Sequence, residues 1–573
     1  MAADRSPLLE PVTTLVLGLG GALRRQGERE WFGNPLHRLA IAGPAAQGLA
    51  ANPRDLRPAD PANGRLILAG HYQLAGASLN VGPGGDPWDR ALPHRRFAVA
   101  LHRMGWLGDL LSAGPEGATL GLRLTLDWRR VFGKWNRFSW GADVIERRVF
   151  NLACAARRLT AGASDAETQT FVQDLARQAR HLTRIAVAPD RHLERAIAAG
   201  VAGCALAEEP GEALIDYAMD RLKAELPGAL KPDGTHASRS PERGMELLFD
   251  LMTLDEALHQ RGQAGPDELT RAIDRLTAAT RFFTLPDGRL PVLQGGEGGD
   301  PRTIAAALAH DEGREGRPSK AAFGGFQRLD GGGLCLLADT APPAQGKWSV
   351  TACAQPLAIE IVAGPDRLIT ACGWSPEAAG PGALRVIDAA STASLGDLIT
   401  GAPVGGVTAY GLGPRLRSAT RKVEARRHDS EAAAWLELNH DGWVRRTGLI
   451  HERRLYLDKA AGELRGEDSF TPQAVKDDAK SRAAPRRYMP FTVRFHLHPD
   501  CRASLARDNK SVLLRGPSDQ GWWLRNDAAE VSLEASAHFE DGQPRRAQQI
   551  VLKGQVRLDK GGRIRWKLSR AEV

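Results

Sequence analysis

The sequence predicts a multidomain chain in which a helical (α/α) toroid is followed by a C-terminal antiparallel β-sandwich. Two observations predict this order. Between residues 95 and 293, apolar side chains recur at helical spacing in seven or more successive segments. From residue 323 to the end, apolar and polar residues alternate over short runs such as AWLELNHDGW and AEVSLEASAHF, which is the period of half-buried strands.

The first 94 residues precede the helical pattern and are rich in Pro, Gly and Ala. Stretches such as NPRDLRPADPANG contain many turn-forming residues, so an irregular N-terminal extension is predicted for residues 1–94. The apolar run VTTLVLGLGGAL is too short to span a bilayer, and the basic pair Arg24 and Arg25 follows it rather than precedes it. No transmembrane segment or signal peptide is therefore predicted.

The helical segments between residues 95 and 293 include GADVIERRVFNLACAARRL, EALIDYAMDRLKAEL and ERGMELLFDLMTLDEALHQ. Their number is too high for a four-helix bundle and fits a toroid or solenoid of helix pairs. The Gly-rich stretch QGGEGGDP opens a predicted linker over residues 294–322. The β-sandwich is predicted for residues 323–573.

The chain of 573 residues is 42% hydrophobic and carries a formal net charge of +8. This charge suits a polyanionic partner such as an acidic polysaccharide, and nucleic acid would satisfy it equally. We find no block of Lys and Arg interleaved with aromatic residues, no helix-turn-helix and no zinc-finger spacing, so no nucleic-acid partner is expected. The six cysteines lie far apart without a CxxC pair, which implies neither a disulfide framework nor a structural zinc site.

The segment HDGWVRRTGLIHERRLYLDKAAGELRGED at residues 440–468, followed by FHLHPD at residues 495–500, resembles the C-terminal β-domain of the heparinase II/III-like polysaccharide lyases. The resemblance extends over roughly residues 97–573 and agrees with the predicted order of domains. It implies cleavage of a uronate-containing glycan by β-elimination. That reaction needs a group that neutralises the substrate carboxylate, a base near the C5 proton and an acid near the leaving oxygen.

The resemblance gives candidates for these roles in the helical domain. In PDRHLERAIAAGVAGCAL, His192 falls on the histidine of the family's Asn-His pair, and Arg191 occupies the asparagine position. His192 is therefore a candidate for proton transfer, and Arg191 is a candidate for binding the carboxylate in bidentate fashion. The alternative is a solvated arginine and a surface histidine near a helix start.

A second match is KPDGTHASRSPERGMELLFDL, where His236 stands at the family's histidine. Ser238 occupies a glutamate position, and the tyrosine that would transfer protons has no counterpart near Arg243. His236 is the second catalytic candidate, and Arg239 and Arg243 are candidates for substrate binding near a helix start. The alternative for His236 is a turn histidine held by backbone hydrogen bonds.

The third match concerns the metal. The family's HxH strand aligns with WSVTACAQPLAIEIVAG, so that Thr351 and Cys353 replace both histidines, while Ala371 and Ala390 replace two further polar residues. Zinc requires three or four N, O or S ligands. We therefore predict no metal and no other cofactor.

Two further groups of side chains are candidates for binding or structural roles. Trp135, with Trp128 and Trp140, is a candidate for stacking on sugar rings, and a position in the core is the alternative. The strand histidines are expected to form structural hydrogen bonds within the sandwich; they are His440, His451, His496 and His498.

The sequence is compatible with three functions. The first is a polysaccharide lyase that uses these residues, and the second is a catalytically degenerate relative that binds acidic polysaccharide. The third is a component that assists the assembly of envelope polysaccharide. The resemblance implies a cell-envelope or periplasmic location, with the cytoplasm as the alternative because no convincing signal peptide is present.

Overall fold

The computed structural model describes residues 9–309, 324–376, 382–473 and 488–571, with side chains from residue 15 onward except at residue 29. The chain forms two compact units. The first comprises residues 1–230, 245–277 and 405–414, and the second comprises residues 231–244, 278–404 and 415–573.

The first unit is built mainly from helices. Before residue 310 the described chain contains α1 (Leu9–Gly33), α2 (Pro35–Ala42), α3 (Pro61–Leu68), α4 (Arg95–Arg103), α5 (Leu107–Ser112), α6 (Pro115–Phe132), α7 (Ala142–Thr160), α8 (Asp165–Arg184), α9 (His192–Ala205), α10 (Glu208–Ala229), α11 (Pro241–Gln260), α12 (Asp267–Phe283) and α13 (Pro301–Leu308). Two short helices follow later in the chain, α14 (Gly406–Leu412) and α15 (Val444–Thr447). Among the described residues, none of the helices combines the length and apolar character that a membrane crossing requires.

The N-terminal 94 residues are more regular than the sequence predicted. They contain α1, α2 and α3 and the hairpin of β1 (His71–Leu74) and β2 (Ala77–Asn80). Pro35 and Pro61 stand at the first turn of their helices, a position that proline favours, and the side chains of the preceding Asn34 and Asp60 cap both helices. The prediction of an irregular extension is therefore wrong for this region. In a sequence, a proline at the first turn of a helix cannot be told from a proline that interrupts regular structure.

Helix α9 lies at the centre of the first unit and packs against α7, α8 and α10. Its residues from Leu193 to Ala205 are almost entirely buried. A Cβ atom at Gly200 would lie 2.8 Å from the Cβ of Ala218, so the glycine permits α9 and α10 to approach closely. The predicted helical region is confirmed, and α6 is a helix that the sequence analysis did not identify.

Strands make up most of the second unit. In chain order they are β3 (Phe326–Gly331), β4 (Leu334–Asp339), β5 (Ile359–Ala363), β6 (Asp366–Thr370), β7 (Ala393–Leu395), β8 (Gly401–Pro403), β9 (Leu416–Ser418), β10 (Val423–Asp429), β11 (Ala433–His440), β12 (Leu449–Asp458), β13 (Glu463–Pro472), β14 (Tyr488–Leu497), β15 (Arg502–Leu505), β16 (Val512–Arg515), β17 (Gly521–Asn526), β18 (Glu530–Glu540), β19 (Gln543–Arg557) and β20 (Gly562–Arg570).

Two large antiparallel sheets contain most of these strands. One has the order β10-β11-β12-β13-β20-β17-β16-β15, and the other has the order β18-β19-β14-β6-β5-β4-β3 with β7 paired to β14. Side chains of both sheets contribute to one buried apolar core, for example Leu336 and Phe495 with Leu455 and Leu568. The alternation predicted from the sequence is seen in β12, where every second residue is buried. The predicted antiparallel sheets after the helical region are confirmed.

The predicted domain limits at residues 94, 293 and 322 remain predictions. The N-terminal part of the predicted linker is structured, since α13 occupies Pro301–Leu308. The rest of that linker, residues 310–322, lies outside the described part of the chain.

Candidate functional site

Arg191 lies in the first unit, at the end of a 3₁₀ turn (Pro189–Arg191) that leads into α9. Its guanidinium forms a forked ion pair with the carboxylate of Glu146, with 3.4 Å from Nε to Oε2. Burial by itself would lower the pKa of Arg191, but the carboxylates of Glu146 and Glu194 outweigh it and raise the pKa well above the ordinary value. The side chain predicted to bind a substrate carboxylate therefore already binds a carboxylate of the protein.

His192 is the first residue of α9 and is partly exposed. Its Nδ1 lies 3.1 Å from Oε1 of Glu225 on α10. A carboxylate in this position orients an imidazole, which is the arrangement of a general acid–base histidine and equally of a contact on the surface.

Tyr217 on α10 is a further side chain of the first unit whose chemistry suits proton transfer. The guanidinium of Arg195 lies 5.9 Å from the centre of its ring, and that of Arg221 lies 5.7 Å from it. The Tyr217 hydroxyl is buried and has no hydrogen-bond partner among the described residues. This tyrosine lies outside the motif that supplies the family's catalytic tyrosine, and with Tyr488 it is one of two tyrosines that only the fold could bring to a site.

His236 belongs to the second unit and is buried. Its Nδ1 lies 2.7 Å from the hydroxyl oxygen of Ser238 and 3.2 Å from the backbone nitrogen of the same residue. The ring meets Trp348 edge to face, with 5.2 Å between ring centres. Ser238, which stands where the family has a glutamate, therefore serves as a local turn partner of the histidine.

Arg239 is 1% exposed and lies in a turn with a φ of 66°. Its Nε donates to the Gly324 carbonyl at 2.7 Å and Nη1 donates to the Ala341 and Pro342 carbonyls, while Nη2 donates to the Gly325 carbonyl and to the carboxylate of Asp339. A guanidinium has five N–H donors, and these contacts use all five. The arginine predicted to bind substrate thus connects two backbone segments, residues 324–325 and 341–342, and a carboxylate of the second unit.

Arg243 is half-buried near the start of α11, and its guanidinium lies 5.6 Å from the ring centre of Trp348. The ammonium of Lys347 lies 4.8 Å from the same ring centre. Trp348 therefore contacts His236 and two cations. Trp348 lies in a short 3₁₀ turn (Gly346–Val350) that carries no recognisable motif, so no signal in the sequence pointed to this residue.

The positions of the family's metal and HxH residues are filled by packed side chains. Thr351, Cys353, Ala371 and Ala390 are all buried. The backbone N–H of Cys353 donates to Oε1 of Gln294 at 3.1 Å, and Nε2 of Gln294 donates to Asp339 at 2.7 Å. Burial raises the pKa of the Cys353 thiol to about 11, so that it is protonated at neutral pH.

These donors do not fit a zinc ion, because one protonated thiol cannot supply the three or four ligands that zinc needs. Among the described residues, no three His, Cys, Asp or Glu side chains are arranged to hold a metal.

The strand histidines form hydrogen bonds inside the sandwich. His451 bridges Nε2 of His440 at 3.2 Å and Oδ1 of Asp468 at 2.9 Å, and Asp468 also pairs with Arg453 at 2.7 Å. His496 Nε2 bonds to the Asp388 carbonyl at 2.9 Å, and its Nδ1 lies 2.8 Å from the Ser536 hydroxyl oxygen. His498 Nδ1 accepts from the backbone N–H of Asp500 at 3.3 Å. These contacts agree with the predicted structural role.

The tryptophans near the start of the helical domain differ in exposure. Trp128 and Trp140 are buried in the core, where their indole nitrogens donate to His102 at 3.0 Å and to the Phe132 carbonyl at 2.8 Å. Trp135 is half-buried, with its ring centre 6.4 Å from that of Phe32. Stacking on sugar therefore remains a prediction for Trp135 alone.

The five predicted charged residues fall into two groups. Arg191 and His192 belong to the first unit, and His236, Arg239 and Arg243 belong to the second. Arg191 and His192 are both partly exposed and each contacts a glutamate of the first unit, whereas His236 and Arg239 are buried and bound to groups of the second unit.

Comparison with known proteins agrees with this fold. The family described as "Heparinase II/III-like, C-terminal" matches residues 314–567. The solved structure "Crystal Structure of Heparinase III" superposes with a TM-score of 0.67 at 13% identity, covering 99% of this chain and 92% of that one. A heparan sulfate lyase HepC mutant from Pedobacter heparinus superposes with a TM-score of 0.58 at 13% identity, covering 91% and 86% of the two chains. The chain belongs to the heparinase II/III-like family.

Within that family the chain has a relative of high identity. It is 58% identical over 545 residues to "FtsZ-localized protein C" of Caulobacter vibrioides (strain NA1000 / CB15N), covering 95% of this chain and 94% of that protein. The name of this relative describes a place in the cell and no reaction.

Proposed function

We propose that this chain is a heparinase II/III-like protein that acts without lyase catalysis and localises with FtsZ through contacts with other proteins. The observation that carries the proposal is Arg239, whose five donors are all bound to protein acceptors. A β-elimination site needs a cation that is available to the substrate carboxylate. The high identity to a protein named for its localisation with FtsZ supports the second half of the proposal.

The surroundings of two other predicted site residues support the same proposal. His236 is buried against Ser238 and Trp348, and Arg191 pairs with Glu146. The loss of one general acid or base typically costs a factor of about 10² to 10⁴ in rate. Losing the tyrosine and the HxH pair together should therefore reduce β-elimination below detection.

Lyase activity is the second candidate, and the contact between His192 and Glu225 favours it. A partly exposed histidine hydrogen-bonded to a carboxylate has the geometry that general acid–base catalysis uses. This candidate requires that another group replaces the missing tyrosine, and Tyr217 offers a phenol in the same unit.

The two candidates differ in an absorbance assay. The purified full-length protein is incubated with heparan sulfate, chondroitin sulfate, alginate and bacterial exopolysaccharides, and the ultraviolet absorbance of unsaturated uronate is followed. We expect no increase, while an active heparinase III run in parallel gives one on heparan sulfate. An increase that disappears in His192→Ala would establish the lyase and contradict the proposal.

Localisation is tested with a fluorescent fusion in the source organism. We expect the fusion to coincide with FtsZ and to disperse when FtsZ is depleted. Diffuse fluorescence in the presence of FtsZ, or a fusion found only in the periplasmic fraction, would contradict the proposal. The same fractionation decides between the envelope location expected from the resemblance and its cytoplasmic alternative.

A further inference from the structure

A trough of about 490 Å³ lies on the outer face of the sheet that contains β11, β12, β13, β20 and β17. Its floor is formed around Leu455, Gly466 and Trp566, which are neighbours across three strands. The trough lies within the second unit and contains none of the residues aligned with the family's catalytic motifs. It is therefore separate from the candidate site described above.

The register of the strands builds the first wall. Trp435, Tyr456, Arg465, Lys567 and Arg525 stand opposite one another on five neighbouring strands and form one row, here called the aromatic-cationic row. Strands are about 4.8 Å apart, so the row is about 19 Å long. An extended peptide of about six residues spans this distance.

The second wall is the next row on the same face, two residues along each strand. It consists of Glu437, Arg454, Glu467, Arg565 and Asp527, with alternating charges, and is here called the alternating row. Glu467 lies 2.8 Å from Arg565 and 3.6 Å from Arg454, so most of the charge in this row is compensated within it.

The two ends of the aromatic-cationic row differ in chemistry. At one end, Trp435 is 43% exposed, and its ring centre lies 4.7 Å from that of Tyr456. An aromatic pair left open to water at the edge of a cavity is suited to an apolar or aromatic side chain of a ligand.

At the other end stand Arg465, Lys567 and Arg525. Glu463 pairs with the first two of these cations, which leaves an excess of positive charge at this end. Arg525 lies over Trp523 at 5.6 Å and approaches the Ser569 hydroxyl at 3.5 Å, and its charge interacts with the nearby carboxylate of Asp508. Three cations thus face two carboxylates, those of Glu463 and Asp508. This end is suited to carboxylates.

We propose that the trough binds an extended acidic segment of a partner protein, with a bulky apolar side chain against Trp435 and Tyr456 and carboxylates against Arg525 and Lys567. Charge complementarity supports a peptide over a uniformly anionic glycan. A polyuronate carries charge along its whole length, whereas the excess of positive charge lies at one end of the trough, and a peptide of mixed sequence places its charge at that end only. The proposal goes beyond localisation with FtsZ, because it does not require that FtsZ supplies the segment.

The test uses the full-length protein and an array of fluorescein-labelled decapeptides. Each peptide carries Leu-Phe or Trp and four Asp or Glu residues placed two to six positions further on. Control peptides carry Lys in place of the acidic residues, and a heparin-derived hexasaccharide is the competing ligand. We expect the acidic peptides to give saturable increases in fluorescence anisotropy, with an affinity that falls as the salt concentration rises. The Lys peptides should give no increase.

Variants locate the binding on the protein. We expect the double variant Arg525→Glu, Lys567→Glu to lower the affinity for the peptide about tenfold or more. The single variant Trp435→Ala should lower it by a similar factor. Arg515→Glu on β16 and Tyr488→Ala on β14 are controls that change exposed residues outside the trough, and they should leave the affinity unchanged. Equal melting temperatures verify that the variants fold.

Three results would overturn the proposal. The first is the absence of binding across the whole array, and the second is binding that the trough variants do not weaken. The third is a hexasaccharide that displaces the peptides and loses affinity in the same variants, which would make the trough a glycan site. Localisation of the wild-type fusion with FtsZ is measured separately, so failure of either proposal leaves the other interpretable.

Discussion

Arg239 and Asp339 form an ion pair in which both side chains are only 1% exposed. Asp339 is the last residue of β4 and also accepts from Gln294, whose amide holds the backbone of Cys353. A position that the family's zinc and HxH strand would occupy is thereby joined to the arginine that was expected to bind substrate. Cys353 and Arg239 are therefore parts of one buried hydrogen-bond network.

Removing one partner of this ion pair should destabilise the second unit strongly. In Arg239→Gln, the buried carboxyl group of Asp339 loses its cationic partner, and we expect a loss of about 3 to 5 kcal/mol in the free energy of unfolding, measured with urea. The double variant with Asp339→Asn should lose less than the sum of the two single variants, because it leaves no buried charge unpaired. Arg515→Gln, on an exposed arginine, is the control and should change stability by less than about 0.5 kcal/mol. A stability of Arg239→Gln equal to that of the control would restore Arg239 as a binding residue.

Arg191 and His192 are neighbours for which we expect opposite results. Arg191→Ala leaves the buried carboxylate of Glu146 without its forked partner, and we expect the free energy of unfolding to fall by about 2 kcal/mol. His192→Ala removes a partly exposed contact with Glu225 and should cost less than about 1 kcal/mol. Chemical denaturation of both variants at pH 7 measures the difference, and a larger loss in His192→Ala would contradict it.

The buried histidines should make stability depend on pH. Burial lowers the pKa of His496 to about 4, and the Asp388 carbonyl only partly opposes this shift. Since an unfolded histidine has a pKa near 6.5, the unfolded chain binds more protons between pH 6.5 and 4, and stability is lost as pH falls through that range. This histidine alone should contribute about 3 kcal/mol of that loss.

The measurement is the urea midpoint from pH 7.5 to 4.0 for the wild type and for His496→Gln. The variant should be less stable at pH 7 but should show a shallower decline with pH. His259→Gln changes an exposed histidine and should keep the slope of the wild type. Parallel curves for the wild type and His496→Gln would mean that His496 is not buried in its neutral form.

Gly466 and Trp566 stand opposite each other on β13 and β20. A Cβ atom at Gly466 would lie 2.1 Å from the indole ring of Trp566, whose Nε1 donates to Asp468 at 3.0 Å. We expect Gly466→Ala to displace the indole and to reduce the free energy of unfolding by about 1 to 3 kcal/mol. Gly228→Ala on α10 has nothing within 4 Å of the added Cβ and should be neutral or slightly stabilising. Near-ultraviolet circular dichroism reports whether the indole moves.

The sequence by itself determined the class of each region, because the helical and strand periods are local and depend on neighbouring residues only. It also determined that the HxH pair, the tyrosine and the glutamate of the family's motifs are replaced, since those are identities at aligned positions. The wrong prediction for the first 94 residues also has a local cause, because Pro35 and Pro61 begin helices that the preceding capping residues stabilise.

Only the tertiary structure decided what the remaining charged residues do. Arg239 is bound to carbonyls of residues 324, 325, 341 and 342, and Arg191 to a glutamate 45 residues away. Such partners come from distant parts of the chain, so spacing within a motif carries no information about them. The trough on the sheet has the same origin, because the strand register aligns Trp435 with Arg525 from strands that lie far apart in sequence. The period of a strand fixes which residues face outward, and strand pairing alone fixes which of them stand side by side.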